Sequence, residues 1–448
     1  MRRIKSQADT LKQLLEENFK STEDATFKTL DNGQDQIEMV YINTIVDNAK
    51  IHDLFLKPFF EIDKINKYVS YIKSLNDYKE YKNEKEAMKE VLHGAIVLLI
   101  EDEALIVGLK LQENSAVQNA MVEATIMGPQ TALSENINTN INLIRHRYHV
   151  PTLKVEKPML MGEKSKVELA ILYDEQQVKP EVLKKIKNQL EQINEPIIQS
   201  SGELHRAIIQ NNKRLFPHLM VTERPDRIAY NLSQGKIIIM IEGNPFVLIA
   251  PAVFYDFMSA MEDFYQPYWV SKFLISLRYI GLFISLFLPA AYVGITSFNP
   301  EVFRVQLAFS IAGSRIPVPY PSYIEVLFML IMMEMLTEAS IRLPKTIGPT
   351  ATTVGGLILG QAATEAGLVS NIMIIIVAAV AISNFIIPIN EMSFSMRVSK
   401  YLLLFLTTIS GLIGLMIGTI GLIYYLVHLD SVGEPYLKLF FDEKKQQT

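Results

Sequence analysis

Residues 328–348 read FMLIMMEMLTEASIRLPKTIG, an opening as apolar as a membrane span that then sets Glu334, Glu338 and Arg342 four residues apart. On a helix, positions i and i+4 are neighbours, so the three share a face. An ionisable group at membrane depth is costly and normally faces a bundle interior, a partner or water. Two readings stand. Glu338 and Arg342 form an ion pair near a membrane exit marked by Arg342, Pro344 and Lys345, or Glu334, one turn deeper, sits on an ion path or in a gating contact. Glu325, beside Pro319 and Pro321, is expected near the opposite surface.

This stretch lies in a region unlike the rest of the chain. Of 448 residues, 43 are Lys or Arg and 48 are Asp or Glu, giving a formal charge of −5, and 49% are hydrophobic. Residues 277–429 hold only seven Lys/Arg and six Glu, which leaves 78 charged residues for the other 295. The split predicts an α/β soluble N-terminal region followed by an all-α polytopic membrane domain over 277–429. Segments 277–297, 323–341, 368–388 and 402–429 approach or exceed the about 20 residues a span needs. Between them, 348–367 (GPTATTVGGLILGQAATEAG) is only weakly apolar. Polar groups at that depth are tolerated where they meet protein or line water. The segment is therefore the candidate pore-lining or re-entrant element, giving four to five helices in all. Thr353, Leu357, Gln361 and Glu365 recur at four-residue steps on one face, while Gly356 and Gly360 have the small-xxx-small spacing of helix packing.

The positive-inside rule puts the soluble half inside, loop 298–320 outside and Arg342 with Lys345 inside. Full crossing by 348–367 leaves the polar tail 430–448 outside; re-entry leaves it inside. Arg397 and Lys400 favour the crossing. Ahead of the first span, 251–276 crowds aromatics around the only tryptophan, Trp269. Rings such as Tyr265, Tyr268 and Trp269 favour the headgroup layer, so an interfacial helix is expected, with a core helix under the soluble domain as the alternative.

The soluble half reads as two small β/α lobes, 37–114 and 159–250, after a helical tail at 1–36 and joined by a linker with helix at 115–158. Strand patterns occur at 39–47, 95–111 and 167–173, and a hairpin around Gly243-Asn244. TERPDRIAYNLSQG reads as a helix with Thr222 as N-cap, Pro225 in the first turn and Gly235 as the stop.

Several function classes are disfavoured. Without cysteine there are no disulfides or thiolate sites, and mild acidity gives no footprint for nucleic acid. No phosphate-binding Gly-x-x-x-x-Gly-Lys loop is present. His146 and His149 in RHRYH lack an accompanying zinc-helix motif, so no metal or other cofactor is expected. The N-terminus has no secretory pattern, and the soluble half is expected in the cytoplasm.

The stretches VTERPDRIAYNLSQG, EGNPFVLIAPAVF, MEDFY, RYIGLFISLFLPAAYVGITSFNPE, EASIRLPKTIGPTATTVGGLILGQAATEAGLVS and IIPINEMSFSMR together resemble, in order, the A subunits of GerA-family spore germinant receptors. YINTIVDNAKIHDLFLKPF and ENINTNINLIRHRYHVPTLKVE resemble the family's N-terminal blocks. One departure is AVQNAMVEATIMGPQTA, where Met127 and Gln130 stand at positions expected to hold Arg. The resemblance implies a multi-pass subunit of the spore inner membrane, oligomerising with copies of itself and acting with a transporter-like B subunit and a C lipoprotein. It implies a ligand-gated ion channel, set in membrane lipid, that releases monovalent cations without a catalytic residue. A SpoVAF-type germination amplifier shares the same blocks, and a structural scaffold subunit is the other alternative. A transporter is a weaker option, since no pair of matched broken helices is visible.

Overall fold

The computed structural model describes residues 7–111, 119–120, 122–123, 125–209, 214–343 and 347–438, with backbone alone at 7, 158–159, 341, 349 and 351–353. The chain divides into two compact units, 1–212 with 219–251, and 213–218 with 252–448.

The first unit holds two five-stranded antiparallel sheets. In chain order it runs α1 (Gln7–Phe19), β1 (Ala25–Asp31), β2 (Gln36–Ile42), α2 (Asn48–Ile51), α3 (Lys57–Glu61), α4 (Ile65–Lys73), β3 (Tyr78–Lys79), α5 (Glu84–Leu92), β4 (Ala95–Ile100) and β5 (Glu103–Gly108). After α6 (Ile137–Arg145) come β6 (Leu153–Met161), β7 (Val167–Asp174), α7 (Pro180–Glu191), α8 (Ser201–Ile208), β8 (Met220–Thr222), α9 (Pro225–Ser233), β9 (Ile237–Ile241) and β10 (Val247–Ala250). The sheet orders are β1-β2-β4-β5-β3 and β6-β7-β9-β10-β8. Renumbered from one, these are the same order. Each lobe is therefore one unit of topology repeated: a hairpin, helices, an edge strand, a helix and a second hairpin.

Several expected boundaries differ. Of the expected helical tail, 1–36, the described part is built into the first lobe: Leu11, Leu15 and Phe19 of α1 are fully buried in its core, and β1 is an edge strand of its sheet. The expected linker contains the start of β6. The α9 helix is capped at Arg224 rather than Thr222, whose hydroxyl accepts from the Arg224 N–H at 3.1 Å. Gly235 does end it, at φ +78°, and a Cβ there would fall 2.3 Å from the Gln177 carbonyl oxygen. The lobes are tied through a buried pair. Arg145 of α6 grips Asp24 through Nε–Oδ2 at 2.6 Å and Nη2–Oδ1 at 2.7 Å, and Thr22 and Thr44 donate to the same carboxylate.

The second unit is helical. It runs α10 (Phe254–Phe257), α11 (Tyr268–Phe298), α12 (Val305–Arg315), α13 (Ser322–Ile341), α14 (Gly348–Glu365), α15 (Asn371–Ile386) and α16 (Asn390–His428). Tyr292 and Val293 of α11, Met329 and Leu330 of α13, Ala363 of α14, and Met373 and Val377 of α15 share one core. Outward, Phe283, Ile375, Ile382 and Ile413 stay exposed, more apolar surface than a water-soluble domain carries. Among the described residues, α11 and α16 are long and apolar enough to cross a membrane.

Two segments depart from expectation. Ahead of α11, residues 251–276 hold only the four-residue α10 and a short turn of helix at Met261–Phe264, not one interfacial helix. Short turns end at Tyr265, and α11 then starts at Tyr268 and runs unbroken into the expected first span. Arg278 of α11 fastens that junction, with Nη2–Oδ1 of Asp263 at 2.8 Å. Nor is 402–429 one straight span. Gly411 takes φ 61° and ψ −144°, a region open essentially to glycine, and α16 doubles back there. A Cβ at Gly414 would lie 2.1 Å from the Leu406 carbonyl oxygen, and one at Gly418 would lie 2.7 Å from a Leu403 methyl. Residues eight apart on a straight helix are about 12 Å apart. The segment is a helical hairpin whose arms approach through glycine. Loop 298–320 also contains a helix, α12.

Past α16, residues 430–438 do not trail as a polar tail. A two-stranded hairpin, Asp430–Ser431 with Glu434–Pro435, brings Tyr436 into a fully buried position among Phe216, His218 and Phe254. The Ser431 hydroxyl donates to the His218 carbonyl at 2.9 Å and lies 3.1 Å from the Ala252 N–H, while the Phe254 N–H donates to the Tyr436 carbonyl at 3.0 Å.

Candidate functional site

Arg397 and Lys400 are three residues apart on α16, which puts both on one face of that helix. Both meet Glu334 of α13. Arg397 Nη2 bonds one carboxylate oxygen, and Lys400 Nζ lies 3.3 Å from the other. The Arg397 guanidinium also rests over the Phe394 ring, 5.3 Å from its centroid. The Lys400 side chain is only 1% exposed. Beside the cluster a cleft of about 390 Å³ opens between α13, α15 and α16, and Glu334, Thr337, Asn384, Ser393, Arg397 and Lys400 are among its lining.

The acidic face expected on α13 is thus divided. Glu334 is held between two cations of another helix. Glu338 and Arg342 do pair, at 3.1 Å, but their side chains are 63% and 78% exposed. Exposed pairs of this kind contribute about 0–1 kcal/mol. Glu338→Gln is accordingly expected to leave the thermal midpoint of the purified protein within error of the parent, whereas a drop of several degrees would show that the pair is covered in the assembled protein.

Glu325 lies in the first turn of α13 and its side chain is buried. It accepts from the backbone N–H and hydroxyl of Ser370, each at 2.6 Å, and Arg315 Nε lies 3.4 Å from its second oxygen. Ser370 is the N-cap of α15, its hydroxyl taking the Met373 N–H. One carboxylate therefore joins α12, α13 and α15. The signal was present in a serine directly before an apolar run, but nothing local pairs it with an acid 45 positions earlier.

Along α14, Leu357 is 62% exposed, and Gln361 and Glu365 are exposed as well. The side chain of Thr353 lies outside the described residues. The opposite side of α14 is packed: a Cβ on Gly355 would sit 3.2 Å from a Leu336 methyl, Ala363 is in the core, and Gly360 lies against Ile374. Gly356 has no neighbour within 4 Å of an added Cβ, so Gly355 takes the packing place expected of it. At the start of α11, Tyr268 and Trp269 are exposed and Tyr265 is half-buried.

In the first unit, His149 stacks on His93 with centroids 4.7 Å apart. Burial, then the charges of His93 and Lys110, hold the His149 imidazole below its ordinary pKa. Among the described residues no group of three or more His, Cys, Asp or Glu could hold a metal ion. The loop at 125–130 is held by Arg224, which donates to the Glu123 carbonyl at 2.8 Å and the Pro129 carbonyl at 3.0 Å.

The profile of the family described as Bacillus/Clostridium GerA spore germination protein matches residues 13–448. The chain is 35% identical to the uncharacterized membrane protein YfkQ of Bacillus subtilis over 406 residues, 89% of this chain and 79% of that one. It is 34% identical to spore germination protein KA of Bacillus subtilis, over 90% of this chain and 76% of the relative. Among solved structures, the N-terminal domain of the A subunit of the Bacillus megaterium spore germinant receptor GerK3 aligns with 25% identity and a TM-score of 0.43. That alignment covers 56% of this chain and 99% of the domain.

Proposed function

The chain belongs to the GerA family of spore germination proteins, and on that premise we propose that it is the A subunit of a nutrient germinant receptor and forms an ion path with copies of itself. It works without a catalytic residue, in the spore inner membrane, with the N-terminal unit on the core side and with B and C subunits as partners. The observation that carries the reading is α14. In a helical unit of apolar surface, its Leu357, Gln361 and Glu365 stay uncovered while its small residues pack inward. One copy cannot shelter such a face from lipid. Several copies around an axis would turn it to water, and Glu365 would form an acidic ring that concentrates monovalent cations. The cluster of Glu334 with Arg397 and Lys400 then fastens α13, and α14 beside it, to the first arm of α16.

Flux of monovalent cations from reconstituted vesicles tests this. Leu357→Ser is expected to raise resting leak and Glu365→Lys to reduce cation flux. Gly360→Leu, which drives a branched side chain into Ile374, should block assembly. Cysteines placed on the α14 face should crosslink between copies. If the first two variants assemble and conduct like the parent, α14 does not line a path, and the scaffold reading takes its place.

A further inference from the structure

We infer that the cleft between α13, α15 and α16 binds the phosphate of an anionic phospholipid headgroup. The inference rests on the membrane reading of the helical unit, but not on its conducting ions.

The charge balance of the cleft comes first. Among the described residues, Arg397 and Lys400 both pair with one carboxylate, Glu334, so these three side chains carry one positive charge in excess. A buried charge without a partner is strongly disfavoured. Lys400 is 1% exposed, and its 3.3 Å approach to Glu334 is longer than the 2.7–2.9 Å of a charge-assisted bond. Its ammonium carries three donors, and the Arg397 guanidinium five.

The neutral lining is mixed. The hydroxyls of Thr337 and Ser393 donate to the carbonyls of Met333 and Asn384 and leave only acceptor lone pairs, so neither serves an anion. Asn384 accepts from Ser285 through its amide oxygen, which leaves its amide NH₂ as a donor. Asn390, also in the lining, is the first residue of α16, where unpaired helix N–H groups carry partial positive charge. The cleft thus offers donors to an acceptor-rich anion.

The rim decides the source of that anion. Phe385 and Phe394 line the cleft and are exposed, and Val380 and Ile387 continue its wall. A cationic end beneath an aromatic and aliphatic rim suits an amphiphile, and basic pockets between membrane helices take anionic lipid headgroups. The volume of about 390 Å³ falls within the ~300–1,000 Å³ of small-ligand sites.

The full chain in neutral detergent, titrated with short-chain phosphatidylglycerol, should show a saturable rise in thermal midpoint that matched phosphatidylcholine does not produce. Lys400→Gln should raise the half-saturating concentration about tenfold, the cost of one charge-assisted bond. Glu334→Gln, which removes the competing carboxylate, should lower it. Opposite shifts from these two changes cannot come from general destabilisation. Should either fail to fold, Ser393→Leu fills the cleft without touching its charge and should abolish the response. An unchanged response in Ser393→Leu or Lys400→Gln overturns the site. An equal response to glycerol phosphate overturns the lipid source and assigns the cleft to a soluble phosphate. Reconstitution into phosphatidylcholine vesicles is the control: failure there sinks the membrane reading, while insertion without a phosphatidylglycerol response sinks the site alone.

Discussion

Exchanging Arg145 for Met lowers the stability of the N-terminal unit by about 3–5 kcal/mol, the usual consequence of breaking one side of a buried ion pair. Both side chains are 2% exposed, so water cannot replace the lost guanidinium. Burial alone would raise the Asp24 carboxyl, but the charge of Arg145 and the hydrogen bonds from Arg145, Thr22 and Thr44 hold it below its ordinary value. In the parent this stability is complete above the unfolded carboxylate pKa of about 3.9 and is lost as pH falls through the lowered folded value. In the variant burial prevails, the folded value lies above the unfolded one, and stability rises on acidification through that window. Pulse proteolysis of the full chain across a urea gradient, at several pH values, reads both effects. Equal midpoints, or parallel pH slopes, would remove the pair as the link between lobes.

Glu325→Leu is the second change of this size, also about 3–5 kcal/mol. It strands the Arg315 guanidinium and leaves the Ser370 N–H without its acceptor at the start of α15. Glu325→Gln keeps an acceptor oxygen and loses less. Detergent-solubilised yield and thermal midpoint should therefore fall in the order parent, Gln, Leu. If the Leu variant matches the parent, the three helices are held by apolar packing alone.

Glu325 and Glu334 show where a sequence stops being readable. The apolar runs of α11, α13 and α15 are legible because the hydropathy of a run is a local property. The partners of Glu334 and Glu325 lie 63 and 45 positions away, and no local pattern selects Arg397 over Arg342. Edge strands were missed for another reason: β1 reads ATFKTLD with three successive exposed residues, since edges carry charge that deters pairing with other chains. The bend in α16 was hidden because hydropathy is blind to the sign of φ. Its trace was the spacing of Gly411, Gly414 and Gly418 within one apolar run. On α14, four-residue spacing puts Leu357, Gln361 and Glu365 on one face, and all three are exposed, while Gly355 rather than Gly356 lies against Leu336.

The clasp of Ser431 and Tyr436 on His218, Ala252 and Phe254 has a consequence for topological parity. The residues that lead into α11 and those that leave α16 touch, so the polypeptide enters and leaves the helical unit at one face. In a bilayer this requires an even number of crossings, and the α16 hairpin contributes two of them by returning His428 toward the end where Asn390 begins. A reporter fused after Lys438 and one fused ahead of Ala252 would therefore share a compartment, whichever one that is.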